Sequence, residues 1–195
     1  MSEVTSSTLD CIDVLDVHRF DEAALLTYLE QNVEGFAPPL TVQQFQGGMS
    51  NPTFRLIDGN GKSYVMRKKP PGKLLPSAHA VDREYRVITA LGDSDVPVPR
   101  THVLCEDDDV IGTAFYDMEH VVGRVFLDPT MPALSNEARS DVYASMNTAL
   151  AALHNVDYRA VGLDGYGREG EYCARQVNRW TKQYLASKTD ELEPM

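Results

Sequence analysis

The sequence predicts an α+β fold: a five-stranded antiparallel sheet with one inserted helix, followed by helices only. Three observations predict it. Strand-like runs occur at 41–46, 53–57, 63–67, 101–105 and 110–118, short and rich in β-branched and aromatic residues. A single helical pattern, from 77 to about 91, falls between the third and fourth runs. After Gly123 the strand pattern stops, and 136–154 and the segment from Glu171 carry helical spacing instead.

Each element has a local reason. Residues 1–19 read as a loose, polar, acidic tail. Asp21 can cap a helix running to about Val33, with Leu25, Tyr28 and Leu29 on one face. Gly35 and the pair Pro38-Pro39 end it. A glycine turn, Gly47-Gly48-Met49-Ser50-Asn51, joins the first two strands, and Asp58-Gly59-Asn60-Gly61 is a strong hairpin signal between the next two. Pro70-Pro71-Gly72 breaks the chain before the inserted helix, and Pro97 and Pro99 break it after. The acidic run Glu106-Asp107-Asp108-Asp109 reads as a solvated turn between the last two strands. A composition boundary near 121–124 divides a sheet domain, 20–121, from a helical one, 122–195. Val142, Met146, Ala149 and Leu153 form one stripe there, and Cys173, Val177, Trp180 and Tyr184 another.

Composition excludes several classes. At 195 residues the chain forms one domain or two small ones, and 43% hydrophobic residues suffice for a core. A net charge of −11 argues against nucleic acid or an anionic membrane as the main partner. Cys11, Cys105 and Cys173 are odd in number and far apart. That spacing speaks against a disulfide framework or zinc site and fits a reducing cytosol. No apolar run approaches a membrane span, and no signal peptide opens the chain.

Two groups of residues carry chemistry. The glycine turn exposes backbone N–H groups to an anion, and Ser50 and Asn51 add side-chain donors; a plain hairpin loop reads the same way. On the following strand Val65 and Arg67 share one face, an apolar side chain followed by a cation. That face suits a purine and its phosphates, and an exposed basic strand end looks alike. In the inserted helix Glu84 falls in the middle of the stripe Val81, Tyr85, Val87, Ile88 and Leu91. A carboxylate facing a core needs a cation. Arg67 is the first candidate and Lys69, of the same strand parity, the second; the third outcome is Glu84 reaching water at the helix edge. Gly165-Tyr166-Gly167-Arg168-Glu169-Gly170 matches GxGxxG but lacks the strand–helix–strand context of a dinucleotide site.

The order of glycine turn, strand cation and helix glutamate resembles the N-lobe of the protein-kinase-like fold. The stretches Phe45-Gln46-Gly47-Gly48-Met49-Ser50-Asn51-Pro52-Thr53-Phe54, Tyr64-Val65-Met66-Arg67-Lys68-Lys69-Pro70-Pro71, Arg83-Glu84-Tyr85-Arg86-Val87 and Met118-Glu119-His120-Val121-Val122-Gly123-Arg124 resemble the aminoglycoside phosphotransferase family. The similarity is to the branch also found fused to acyl-CoA dehydrogenase domains. It extends from about Phe20 onward.

The resemblance implies that Gly47, Gly48, Ser50 and Asn51 cover the phosphates of ATP. It implies that Arg67 contacts the α/β-phosphates and pairs with Glu84, and that Val65 roofs the adenine. Backbone groups of Glu119 and Val121 would meet the base from the hinge. The family's catalytic His-Gly-Asp loop and its Mg²⁺-binding Asn and Asp have no counterpart before Met195. The expectation is therefore the nucleotide-binding portion of a small-molecule phosphotransferase, truncated, without catalytic residues of its own and inactive alone. The full-length enzyme would act on a small hydroxyl-bearing substrate, and the helical portion would leave an apolar surface prone to self-association. A non-catalytic, pseudokinase-like binding module is the second expectation. Mg-ATP binding separates some of these cases.

Overall fold

The computed structural model describes residues 11–46, 51–72, 79–167 and 170–187. The expected phosphate-covering residues Gly47, Gly48 and Ser50 lie outside them. The chain forms two compact units that divide between Val156 and Asp157, and each is described by itself. The composition boundary near 121–124 thus falls inside the first unit.

The first helix, α1 (Glu22–Asn32), starts where Asp21 accepts hydrogen bonds from the backbone N–H groups of Ala23 (3.0 Å) and Ala24 (2.9 Å). These two donors would otherwise have no partner within the helix. Leu25 and Leu29, four residues apart, are fully buried on its inner face.

Strands β2 (Thr41–Phe45), β3 (Thr53–Ile57) and β4 (Ser63–Lys68) follow. Asp58 shapes the turn before β4 by accepting from the N–H groups of Asn60 (3.0 Å) and Lys62 (2.8 Å). Gly59 is required by close approach, because a Cβ there would lie 1.9 Å from the carbonyl oxygen of Pro38.

Helix α2 (Val81–Leu91), β5 (Thr101–Cys105), the short α3 (Asp108–Ile111) and β6 (Phe115–Glu119) complete the sheet region. The strand expected from 110 starts only at Phe115. Asp107 caps a helical turn by accepting from the N–H of Asp109 at 2.9 Å, and Gly112 ends that turn at φ 84°. The acidic run is therefore a helix start, not a hairpin turn.

Among the described residues the sheet has six strands, in the order β1 (Cys11–Ile12), β2, β3, β4, β6, β5, each neighbour antiparallel. The extra strand, β1, pairs with Phe45 and Gln44 at the open edge of β2. Residues 11–19 are therefore not the loose tail expected. The Leu15 N–H donates to Gln44 Oε1 (3.1 Å), and Gln44 Nε2 lies 3.0 Å from His18 Nδ1 in the turn Asp16–His18. A two-residue strand shows no alternation of its own, so only the partner edge reveals it.

Alternation sorts the sheet into two faces. Phe54, Leu56, Tyr64, Met66, Cys105 and Phe115 join α1 in the larger core. Tyr116, with Val81 of α2 and Ala114, forms a smaller one that Tyr85, Ile88 and Met118 flank. Strand parity therefore leaves Val65 and Arg67 on the α2 side.

Helix α4 (Asn136–His154) begins at Ser135, whose hydroxyl accepts from the Ala138 N–H at 3.1 Å. It buries no residue. In the second unit, Asp157 Oδ1 accepts from the N–H groups of Arg159 and Ala160 before α5 (Tyr172–Ser187). Among the described residues no helix is long and apolar enough to cross a membrane.

Candidate functional site

Glu84 is the hub of the site. Its Oε2 lies 3.2 Å from Arg67 Nε and accepts a hydrogen bond from the Tyr116 hydroxyl at 3.1 Å. Its Oε1 accepts from Asn51 Nδ2 at 2.9 Å. Arg67 and Tyr116 arrive together because they are opposed in the β4–β6 register. Glu84 reaches them from the first turn of α2, on the side that packs against β6.

The side chains of Arg67 and Glu84 are 32% and 36% exposed. Solvent screening therefore limits the ion pair itself to about 1 kcal/mol or less. The Arg67 Nε–H is buried, and among the described residues it has no aligned hydrogen-bond partner. The guanidinium is thus anchored beside a carboxylate while part of the side chain stays exposed. Burial, and then the adjacent Glu84 charge, push the Tyr116 phenol above its ordinary range, while Arg67 pulls it down. It stays protonated at neutral pH and serves as a donor.

Asn51 is buried (4% exposed). Its Oδ1 is 2.9 Å from His79 Nδ1, so both ends of its carboxamide are engaged inside the chain. Lys69, the second candidate partner of Glu84, makes no ion pair with it among the described residues; Arg67 does.

A cleft of about 840 Å³ opens on the same sheet face. Val65 and Met118 give it an apolar ceiling, flanked by Arg55 and Gln43. Residues 118–123 form one wall, with Glu119 and Val121 in it. Val121 is 63% exposed. The Glu119 N–H donates to the Arg100 carbonyl at 2.7 Å, and its carboxylate accepts from the Arg100 N–H. Phe45 and His120 stack at 6.1 Å across one end. Burial, then Arg55, lower the His120 pKa and favour the neutral ring. Arg55 Nε and Nη2 both donate to Ser63 Oγ (3.2 and 3.0 Å).

Sequence reasoning missed several of these residues. Tyr116 lacks a local signal, since its role follows from register. His79 precedes its helix and carries no motif. Cys11 lines the cleft only because β1 pairs with β2. Among the described residues no three His, Cys, Asp or Glu side chains converge to hold a metal ion.

Residues 41–195 match the model of the "Phosphotransferase enzyme family". The chain belongs to that family. It is 51% identical over 193 residues to the "Probable acyl-CoA dehydrogenase IBR3" of Arabidopsis thaliana, covering 95% of this chain and 23% of that one. It is 48% identical over 184 residues to "Acyl-CoA dehydrogenase family member 11" of Rattus norvegicus, covering 92% and 24%. The chain therefore spans about a quarter of the length of these curated relatives. A solved structure from Ralstonia eutropha, named for aminoglycoside phosphotransferases, superposes with a TM-score of 0.76 at 51% identity. The match covers 89% of this chain and 50% of that one. The fold is kinase-like, with an antiparallel sheet and several helices.

Proposed function

We propose that this chain supplies the nucleotide-gripping part of an ATP-dependent phosphotransferase that passes the γ-phosphate to a substrate hydroxyl. The observation that carries the reading is the partly exposed Arg67 guanidinium, held 3.2 Å from Glu84 on the strand face whose Val65 lines the cleft. A fixed, partly exposed cation suits the α/β-phosphates. Val65 and Met118 would cover the adenine. The carbonyl of Glu119 and the N–H of Val121 would meet its edge. Gly47, Gly48 and Ser50 would cover the phosphates through backbone N–H groups, with Asn51 acting mainly by fixing Glu84.

The relatives' names favour a hydroxyacyl thioester as the substrate of the whole enzyme, over a sugar or a choline-like alcohol. No His-Gly-Asp occurs in the sequence, so the 195-residue chain alone is expected to bind ATP without transferring phosphate. That outcome also suits the second reading, a non-catalytic nucleotide-binding module; phosphoryl transfer by the chain alone would exclude it. Cys11, Cys105 and Cys173 form no disulfide among the described residues, which suits a reducing cytosol. The exposed apolar side chains of α4 and α5 favour self-association of the isolated chain.

Calorimetric titration with ATP, with and without Mg²⁺, tests the reading. Wild type is expected to bind, and Arg67→Ala to weaken ATP at least tenfold, a loss of about 1.4 kcal/mol or more. Equal affinities, or no binding by wild type, would remove the proposal.

A further inference from the structure

His79 is one of few non-glycine residues with a left-handed backbone, φ 57°. Side chains with a Cβ rarely adopt that conformation. The turn is fixed by the Val81 N–H, which donates to the His79 carbonyl at 2.9 Å. Its result is to bring Nδ1 within 2.9 Å of Asn51 Oδ1.

The direction of the hydrogen bonds follows from chemistry alone. The Glu84 carboxylate only accepts, so the Asn51 amide nitrogen must face it. That turns Asn51 Oδ1 toward His79, and Oδ1 only accepts. His79 Nδ1 must therefore carry a proton. The chain of donors runs His79 to Asn51 to Glu84, and Glu84 sits 3.2 Å from Arg67. With Asn51 buried, rotation of its carboxamide would leave Glu84 facing an oxygen lone pair in a low-dielectric site.

We propose that His79 is a positioning residue for the nucleotide grip: by holding the Asn51 carboxamide in one orientation it fixes Glu84, and through Glu84 the Arg67 guanidinium. The proposal rests on the nucleotide-binding reading above and adds to it a residue outside the cleft. Tyr116 steadies the same carboxylate from the sheet side, so Glu84 is held by Tyr116 on one oxygen and by Asn51, which His79 orients, on the other.

Two measurements on the full 195-residue chain test it. Long-range ¹H–¹⁵N NMR at pH 8 reads the tautomer of the His79 ring. The expected neutral form carries its proton on Nδ1; a ring protonated on Nε2 alone overturns the proposal. The second measurement compares His79→Gly, which eases the backbone and deletes the donor, with His79→Asn, which tolerates the same backbone and keeps an amide donor. The glycine variant is expected to bind ATP about tenfold more weakly with adenosine affinity unchanged. The asparagine variant should restore most of the loss. In a Glu84→Gln background the glycine change should add nothing further. An unchanged ratio of ATP to adenosine affinity in His79→Gly, with wild type still binding, overturns the His79 role alone. Absence of ATP binding by wild type overturns the nucleotide reading and this role together.

Discussion

Helices α2 and α4 both carry an apolar stripe at helical spacing, yet they end in opposite environments. Val81 of α2 is buried together with Tyr116 and Ala114, and Leu91 is buried as well. In α4 no residue is buried, and Met146, Leu150 and Leu153 face solvent. Periodicity thus tells which side of a helix needs cover. It does not tell what covers it. The carboxylate inside the α2 stripe separates the two further. Glu84 is satisfied by Arg67, Asn51 and Tyr116, so a stripe that includes an acid marks a built site where a plain stripe marks only a surface.

The largest effect tests the covered side. Phe54 is fully buried and meets Phe20 edge-on at 5.2 Å. Phe54→Ala is expected to cost about 3–5 kcal/mol, the transfer term plus a cavity. Urea denaturation reads this as a lower midpoint at an unchanged slope. A cost under about 1 kcal/mol would mean that the sheet core on the α1 side is not packed as a covered surface should be.

A second test asks whether the sheet core carries an acid as α2 does, but without partners. Asp117 lies on the α1 side of β6, fully buried, and neither carboxylate oxygen has an aligned partner among the described residues. Burial raises its pKa well above the usual range; the Lys62 charge and the Met118 N–H oppose this without overcoming it. Here the folded state holds a proton that the unfolded chain releases near pH 4. The contribution of Asp117 to stability is therefore greatest at acid pH and falls as pH rises toward the folded pKa. Asp117→Asn removes that slope. The variant should gain about 1 kcal/mol or more over wild type at pH 8, and less at pH 5. Parallel stability curves for the two proteins would show that Asp117 is charged at neutrality and solvated in some other way.

These residues mark how far the sequence could be read. The hairpin at 58–61, the Asp21 cap and the parity of Val65 and Arg67 were legible because each depends on neighbours within a few residues. Glu84 was legible as a misplaced carboxylate, and the choice between Arg67 and Lys69 was not. That choice depends on the register that sets Arg67 opposite Tyr116, a long-range property. Strand β1 was hidden for the same reason: its pairing belongs to the β2 edge, not to Cys11 and Ile12. The start of β6 was misjudged because Val110 and Ile111 favour strands, while Asp107 and Gly112 cap a turn of helix around them. His79 stayed invisible because its function lies in a backbone angle.

The smallest effect belongs to the uncovered side. Leu150 of α4 is 50% exposed, so leucine there gains only part of the burial available to Leu29 of α1, which has none of its surface exposed. Alanine is at least as good a helix former. Leu150→Ala is therefore expected to change stability by no more than about 0.5 kcal/mol. At high protein concentration it should lower the fraction of associated chains seen by light scattering. If it instead destabilises the dilute monomer by about 2 kcal/mol or more, a range typical of core leucines, then α4 is packed as α2 is. The contrast between the two helices would then be lost.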